Sequence, residues 1–432
     1  MTHSSSSGSA VPILHASLAN DLTWLIAAIA VCGMLMRPWG ISEALWAAAG
    51  ALLLVLGSLV SWRQAWTAVG AGTDVYLFLA GMMLLAELAR AEGLFDWVAA
   101  HAVRTAHGAP RRLFALIYLV GIAVTALLSN DATAVVLTPA VYAAARHAKT
   151  EPLPYLLICA FVANAASFLL PIANPANLVV YASHLPPLGA WLTWFLLPAA
   201  AAIAVTYLAL YATQRRALQG RFTLDVPVPS LSRAGRVAAA GIGLAVLVLL
   251  WASATDRQLG APSCLAAVIT LALVLLLERR SPWPIVKAVS WSVLPLVAGL
   301  FVLVAGLGQT GLLRTLAALA MHLTLSAARV STFAAGGGAA AASNIMNNLP
   351  VALIAASIGA GHGLASLRAS LLIGVDLGPN LSVTGSLATI LWLIALRREQ
   401  VHIDAATFLK LGLLVMPPAL LAALTLLLVH PV

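Results

Sequence analysis

The sequence predicts an all-α polytopic membrane protein built as a duplication, each half carrying a re-entrant hairpin and a broken transmembrane helix. Three observations predict it. Of 432 residues, 62% are hydrophobic and 9% are charged, with a mean hydropathy of +0.99, a balance that excludes a soluble chain. Two regions, 112–182 and 331–396, are mostly apolar but cut by Asn, Pro, Gly and Ser into pieces too short to span. Broken backbone of that kind survives in a membrane only when buried in protein or lining a polar cavity. The polar clusters also recur: 212 residues separate Asn164 from Asp376 and Asn174 from Ser386, and 217 separate Asn130 from Asn347. Such doubling is the usual build of a secondary transporter.

Along the chain, residues 1–17 are Ser-rich and lack Lys and Arg. They have no basic n-region of a secretory signal and read as a disordered tail. The first transmembrane half, 18–212, has apolar runs near 18–36, 43–62, 74–93 and 189–212 around the interrupted region 112–182. A basic linker, 213–236, sets Arg215, Arg216, Arg221, Arg233 and Arg236 against the single acid Asp225, and the positive-inside rule puts it in the cytoplasm. The second half, 237–432, has runs near 237–252, 262–277, 288–308 and 406–430 around 331–396. Arg111-Arg112, Arg279-Arg280 and Arg397-Arg398 are weaker markers that do not fit one hairpin count. The net charge of +9 is scattered at the ends of apolar segments, which points to topology and not to a nucleic-acid partner. Gly336-Gly-Gly338, flanked by alanines, would let one hairpin pack its own arms closely.

Asn130, Asn174, Asn177, Asn347, Asn348, Ser386 and Thr389 are neutral donors and acceptors in these clusters. With the unpaired groups of half-helix ends they suit a small hydrogen-bonding solute or a dehydrated cation. Asn in a membrane helix also staples neighbours together; placement in duplicated positions favours a site. Pro171, Pro175, Gly378, Pro379 and Gly385 mark the breaks, because Pro removes a backbone donor and cannot continue a helix. The clusters hold two acids, Asp131 and Asp376. Proton carrier, cation ligand and helix cap are all open to them. No metal-type spacing and no cofactor motif is present: Cys32, Cys159 and Cys264 lie in separate apolar runs and read as small buried hydrophobes.

Leu128-Ser-Asn-Asp-Ala-Thr-Ala-Val-Val-Leu-Thr-Pro139, Asn347-Asn-Leu-Pro350, the run from Asp376-Leu-Gly-Pro to Trp392, and Gly93-Leu-Phe-Asp-Trp97 resemble the arsenite/antimonite efflux permeases of the ion transporter superfamily. The resemblance implies inverted repeats, location in the bacterial inner membrane, and export of arsenite and antimonite in exchange for protons by alternating access. Some members also associate with a cytoplasmic arsenite-stimulated ATPase. It places Asn130, Asp131, Asn347, Asn348, Asp376, Gly385, Ser386 and Thr389 around the substrate. Two departures stand out. Asn164-Ala-Ala-Ser167 replaces an Asp followed by Thr-Ala-Ser, and Val375 stands where Cys often precedes the second Asp. The first concentrates proton coupling on Asp131 and Asp376. The second argues for a neutral trihydroxide bound by hydrogen bonds and against thiolate capture.

Other readings remain within the superfamily, a Na⁺/H⁺ antiporter or a sodium-coupled carboxylate or anion carrier. No Lys or Arg lies in the clusters to pair an anion. An intramembrane aspartyl protease would use Asp131 and Asp376 as a dyad, but Ile373-Gly-Val375 precedes Asp376 where such enzymes have Gly-x-Gly, so no enzymatic activity is expected. Replacing Cys32, Cys159 and Cys264 together with Ser should leave arsenite export by expressing cells largely intact. Loss of export in a well-expressed triple variant would bring thiolate chemistry back.

Overall fold

The computed structural model describes residues 10–182, 185–222, 230–359 and 364–429, and among these all regular structure is helical. The first helix, α1 (Ala10–Met36), begins inside the expected tail, because apolar Val11 to Leu14 carry the span's hydropathy backwards. The rest of that tail, 1–9, lies outside the described residues. The repeat continues with α2 (Glu43–Leu56), α3 (Trp62–Ala71), α4 (Thr73–Ala91) and α5 (Leu94–Thr105). Hairpin 1 runs in through α6 (Pro110–Leu127) and out through α7 (Asn130–Ala132), a π turn at Thr133–Leu137 and α8 (Thr138–His147). The broken helix is α9 (Leu153–Ala165), a 3₁₀ turn at Pro171–Ala173 and α10 (Pro175–Val180), and α11 (Leu188–Gln214) closes the repeat.

The second half has the same order. It begins with α12 (Arg233–Ala254), α13 (Gly260–Glu278), α14 (Trp283–Ala288), α15 (Val293–Gln309) and α16 (Leu312–Ser326). Hairpin 2 is α17 (Ala328–Met346) and α18 (Asn348–Ile358). Its broken helix is α19 (Ala365–Leu377), a 3₁₀ turn at Gly378–Leu381 and α20 (Leu387–Arg398), before α21 (Ala405–Val429). The chain is a multi-pass membrane protein. Among the described residues, six helices are long and apolar enough to cross a bilayer singly, and the bent pairs α3–α4 (48°) and α15–α16 (75°) pass the same test of length and composition when each pair is taken together. One of the six is α6, so the inward arm of hairpin 1 is not too short to span. It is re-entrant because the chain turns at Leu128 and Ser129 and comes back.

The repeats are inverted. Phe222 of the linker donates its N–H to Gly108 O at 3.1 Å, and Tyr155 Oη donates to Pro110 O at 3.5 Å, so hairpin 1 enters and leaves on the linker side. Trp392 Nε1 donates to Leu156 O at 2.9 Å, which brings Arg397 and Arg398, at the end of α20, to that side as well. Arg279 and Arg280 end α13, which returns along α12 toward the linker. All three basic pairs therefore share one side with the linker. They defeat a hairpin count because a re-entrant hairpin reverses the chain without crossing.

The repeats also exchange partners. α2 packs on α15 and α4 on α13, while α10 packs on hairpin 2 and α20 on the return arm of hairpin 1. The two scaffold crossings are built alike. A Cβ at Gly81 of α4 would lie 2.6 Å from the Ser263 backbone, and one at Gly299 of α15 would lie 2.7 Å from the Ala47 backbone. The glycine run of hairpin 2 does not join its own arms: Gly336 meets α19 at Gly374 and α21 at Leu424, while Gly337 and Gly338 face open space. Gly81→Val or Gly299→Val should cost about 1–3 kcal/mol by forcing backbones apart and lower the yield of monodisperse protein in detergent. Gly243→Ala, where a Cβ meets nothing within 4 Å, is the neutral comparison. Equal yields for all three would show that the crossings tolerate separation.

Candidate functional site

The two breaks cross at the centre of the protein. Each is made the same way: a buried helix ends, a proline 3₁₀ turn follows, and a capping side chain starts the second half-helix. In the first, Asn174 Oδ1 accepts from Ala176 N at 3.0 Å. In the second, Ser386 Oγ accepts from Thr389 N at 3.1 Å. Each cap also reaches the opposite repeat. Asn174 Nδ2 donates to Asp376 Oδ1 at 2.8 Å, and Ser386 Oγ donates to Asn164 Oδ1 at 3.3 Å. The 212-residue offset maps one of these bonds onto the other.

Asn380 completes the crossing. Its Nδ2 donates to Phe161 O at 2.9 Å, and its Oδ1 accepts from Asn164 Nδ2 at 3.0 Å. Asn164 Nδ2 also reaches Thr389 Oγ1 at 3.4 Å, and Asn174 Nδ2 reaches Ser167 Oγ at 3.4 Å. The α9 and α19 carbonyl ends and the α10 and α20 amide ends face this space, adding partial charges of both signs. Asp376 is 0% exposed, and its Oδ2 has no hydrogen-bond partner among the described residues. The cationic side chain that heads α19, Arg368, points away: its Nε donates to Gly359 O at 2.8 Å, and it lies 5.5 Å from the Tyr181 ring centroid.

Of the residues singled out by sequence, Asn174, Asp376, Ser386 and Thr389 meet here. Asn177 belongs to the first break itself, its Nδ2 held by the carbonyls of Ser167, Leu170 and Pro171 at 2.8 to 3.3 Å. Pro171, Pro175 and Pro379 sit in or beside the 3₁₀ turns. Gly378 has a helical φ of −51 and is needed instead for contact, since a Cβ there would lie 2.5 Å from Ala340 Cα. A Cβ at Gly385 would lie 2.5 Å from Pro379 Cα.

The hairpin tips pack beside the breaks: α7 lies against α9 and α20, and α17 against the 3₁₀ turn of the second break. Ser129 Oγ accepts from Ala132 N at 3.1 Å, and buried Asn130 accepts from Asp131 N at 2.9 Å. Asp131 lines a cavity of about 60 Å³ with Glu87, Met83 and Val289. At hairpin 2, Asn347 adopts φ 72, ψ 155 and accepts from Leu349 N at 3.4 Å, beside a space of about 10 Å³ shared with Glu43 and Met34. Asn348 is buried next to it. Asp131 and Asp376 share no hydrogen bond among the described residues. Nor do any three His, Cys, Asp or Glu among those residues gather to hold a metal ion.

Asn380 and Asn344 are structural partners outside the candidate site residues, and Asn164, read in the sequence as the counterpart of Asp376, bonds Asn380 directly. Asn344 holds the second break: its Nδ2 donates to Gly378 O at 2.9 Å and Ala340 O at 2.8 Å, and its Oδ1 accepts from Ser382 at 2.6 Å. The signal for Asn380 was its place directly after the Gly-Pro break.

Comparison with known proteins agrees with this architecture. A family described as citrate transporters (CitMHS) matches residues 22–374. The arsenical pump membrane protein of Yersinia enterocolitica is 30% identical over 419 residues, covering 90% of this chain and 94% of its own. This chain belongs to the arsenical pump membrane protein and CitMHS family of the ion transporter superfamily. The transporter is also 28% identical over 421 residues to the arsenical pump membrane protein of Escherichia coli, with 90% and 94% coverage. The crystal structure of the YdaH transporter of Alcanivorax borkumensis shares its fold, with a TM-score of 0.58 at 18% identity over 86% of this chain and 89% of that one.

Asn344→Ala should cost about 1–3 kcal/mol by leaving buried carbonyls unpaired. Its signature is a lower apparent Tm of the detergent-solubilised transporter. An unchanged Tm would mean that the second break keeps its shape without this amide.

Proposed function

We propose that the protein is an inner-membrane antiporter exporting arsenite and antimonite, as neutral trihydroxides, in exchange for protons. The observation that carries this reading is Asp376, a wholly buried carboxyl at the crossing of two helix breaks, with one oxygen on Asn174 and the other unpartnered among the described residues. A bare carboxylate in such a place is costly, so a proton accompanies it for part of the cycle. The surrounding groups are amides and hydroxyls, able both to donate to and accept from a trihydroxide. No cysteine takes part. Cys159 is on α9 but bonds its own helix at Tyr155 O, 3.6 Å away. Relatives matched over 90% of the chain are arsenical pump membrane proteins, which supports an arsenical as the substrate class.

In this reading the hairpins and broken helices form a body that moves against a scaffold of α2, α4, α13 and α15, giving alternating access. Asp131, on the hairpin 1 cavity, is the second candidate for handling protons, and Asn130, Asn347 and Asn348 line the path at the tips. The linker side is cytoplasmic by its basic residues, and a cytoplasmic arsenite-stimulated ATPase would dock there.

One observation favours a second reading, a sodium-coupled carboxylate carrier: the citrate-transporter description of the matching family. Against it, a multivalent anion would meet no Lys or Arg side chain in the crossing. Asp376→Asn keeps the shape and mimics the protonated acid. It should abolish pH-driven arsenite uptake into everted vesicles while the protein stays folded, with Asp131→Asn measured beside it. Wild-type uptake of citrate driven by Na⁺, with no arsenite uptake, would establish the second reading; concentrative, pH-driven arsenite uptake by Asp376→Asn would remove Asp376 from coupling.

A further inference from the structure

The pseudo-symmetric positions 164 and 376 are wired with opposite polarity. At 376 the neighbour is a fixed donor. Asn174 spends its Oδ1 on the Ala176 N–H, which turns its Nδ2 toward Asp376. A carboxylate accepts that bond without rearrangement.

At 164 the neighbour is a fixed acceptor. The Phe161 carbonyl can only accept, so it orients the Asn380 amide with Nδ2 toward itself and Oδ1 toward residue 164. The side chain at 164 must therefore donate to Asn380 while accepting from Ser386. A primary amide does both, as would a protonated carboxyl; an ionised carboxylate cannot donate. The second repeat has Asn380 where the same offset puts Phe168 in the first, so this demand exists on one side only.

We propose that the Asn164–Asn380 pair is a positioning device that holds one of the two equivalent places uncharged, so that the crossing handles one proton per cycle and not two. Apart from Asp376, the titratable groups of α9 and α19 are directed elsewhere. Tyr155 bonds Pro110 O and Cys159 bonds Tyr155 O. Arg368 is held by Gly359 O over Tyr181. Asp131 shares its cavity with Glu87, and Arg329, Arg397, Arg398 and Lys410 are exposed. The single-proton count rests on the coupling role proposed for Asp376; the wiring at 164 does not.

The test compares N164D, D376N and the exchanged pair N164D/D376N with wild type. The first readout needs no substrate: the Tm of purified N164D, relative to wild type, should fall progressively from pH 6 to pH 8 as the carboxyl introduced at position 164 ionises against Asn380 Oδ1. A constant difference across that range overturns the inference. Adding N380A to N164D should flatten the profile, because the acceptor is gone; a profile that stays as steep also overturns it.

The second readout is arsenite exchange at equal pH on both sides of everted vesicles. Normalised to its own rate at pH 6, exchange by N164D should fall about tenfold further than that of wild type by pH 8, one decade being one unit of pKa. The exchanged pair should remain uncoupled like D376N, at matched expression. Restored proton-driven uptake in the exchanged pair would make the two places equivalent and overturn the inference. If wild type itself lacks pH-driven arsenite uptake, the function proposed above and the proton count fall together, while the Tm profile still decides the wiring.

Discussion

A break in a helix at the middle of a bilayer leaves amides and carbonyls that water cannot reach, and each must find a partner inside the protein. Here each break finds it in the other. The cap of α10 bonds the end of α19, and the cap of α20 bonds the end of α9. Neither repeat can be complete alone, and the inverted arrangement follows, because only antiparallel copies bring a cap of one to the end of the other. The scaffold repeats the logic in apolar form, with α2 on α15 and α4 on α13 at glycines that let backbones touch.

Symmetry of backbone and asymmetry of side chains divide the labour. The breaks share turns, prolines and caps, and these fix where polar groups can stand. What stands there differs: an acid and its amide donor on one diagonal, an amide chain from Phe161 through Asn380 and Asn164 to Ser386 on the other. One diagonal holds a group able to change charge. The other holds the two breaks in register.

Much of this was legible in the sequence. Side chains that are costly in lipid mark the breaks, so the interrupted regions 112–182 and 331–396 fall close to the observed hairpins and broken helices, Pro110–Val180 and Ala328–Arg398. The offset of 212 residues likewise named both ends of each crossed bond. Pairing was not legible. That Asn164 faces Asn380, or that Asn174 reaches Asp376, depends on how two repeats dock, and composition carries no trace of docking. The Arg pairs misled for a related reason: charge reports sides, but the number of crossings between two charges depends on which segments turn back. The helix α3 was not legible because Trp62–Ala71 falls between the apolar runs 43–62 and 74–93, whereas the start of α1 at Ala10 lies where serine gives way to apolar residues.

The crossed bonds also carry a consequence for biogenesis. Asn164 waits for partners 216 and 225 residues further along the chain. At about 5–20 residues per second of synthesis, the first repeat stands in the membrane for roughly ten to forty seconds with its break unmatched. What protects it in that interval is local. Asn177 ties back to the carbonyls of Ser167, Leu170 and Pro171 within ten residues of itself, closing the loop on its own chain. The first break is thus closed partly on its own chain, through bonds that need no residue of the second repeat.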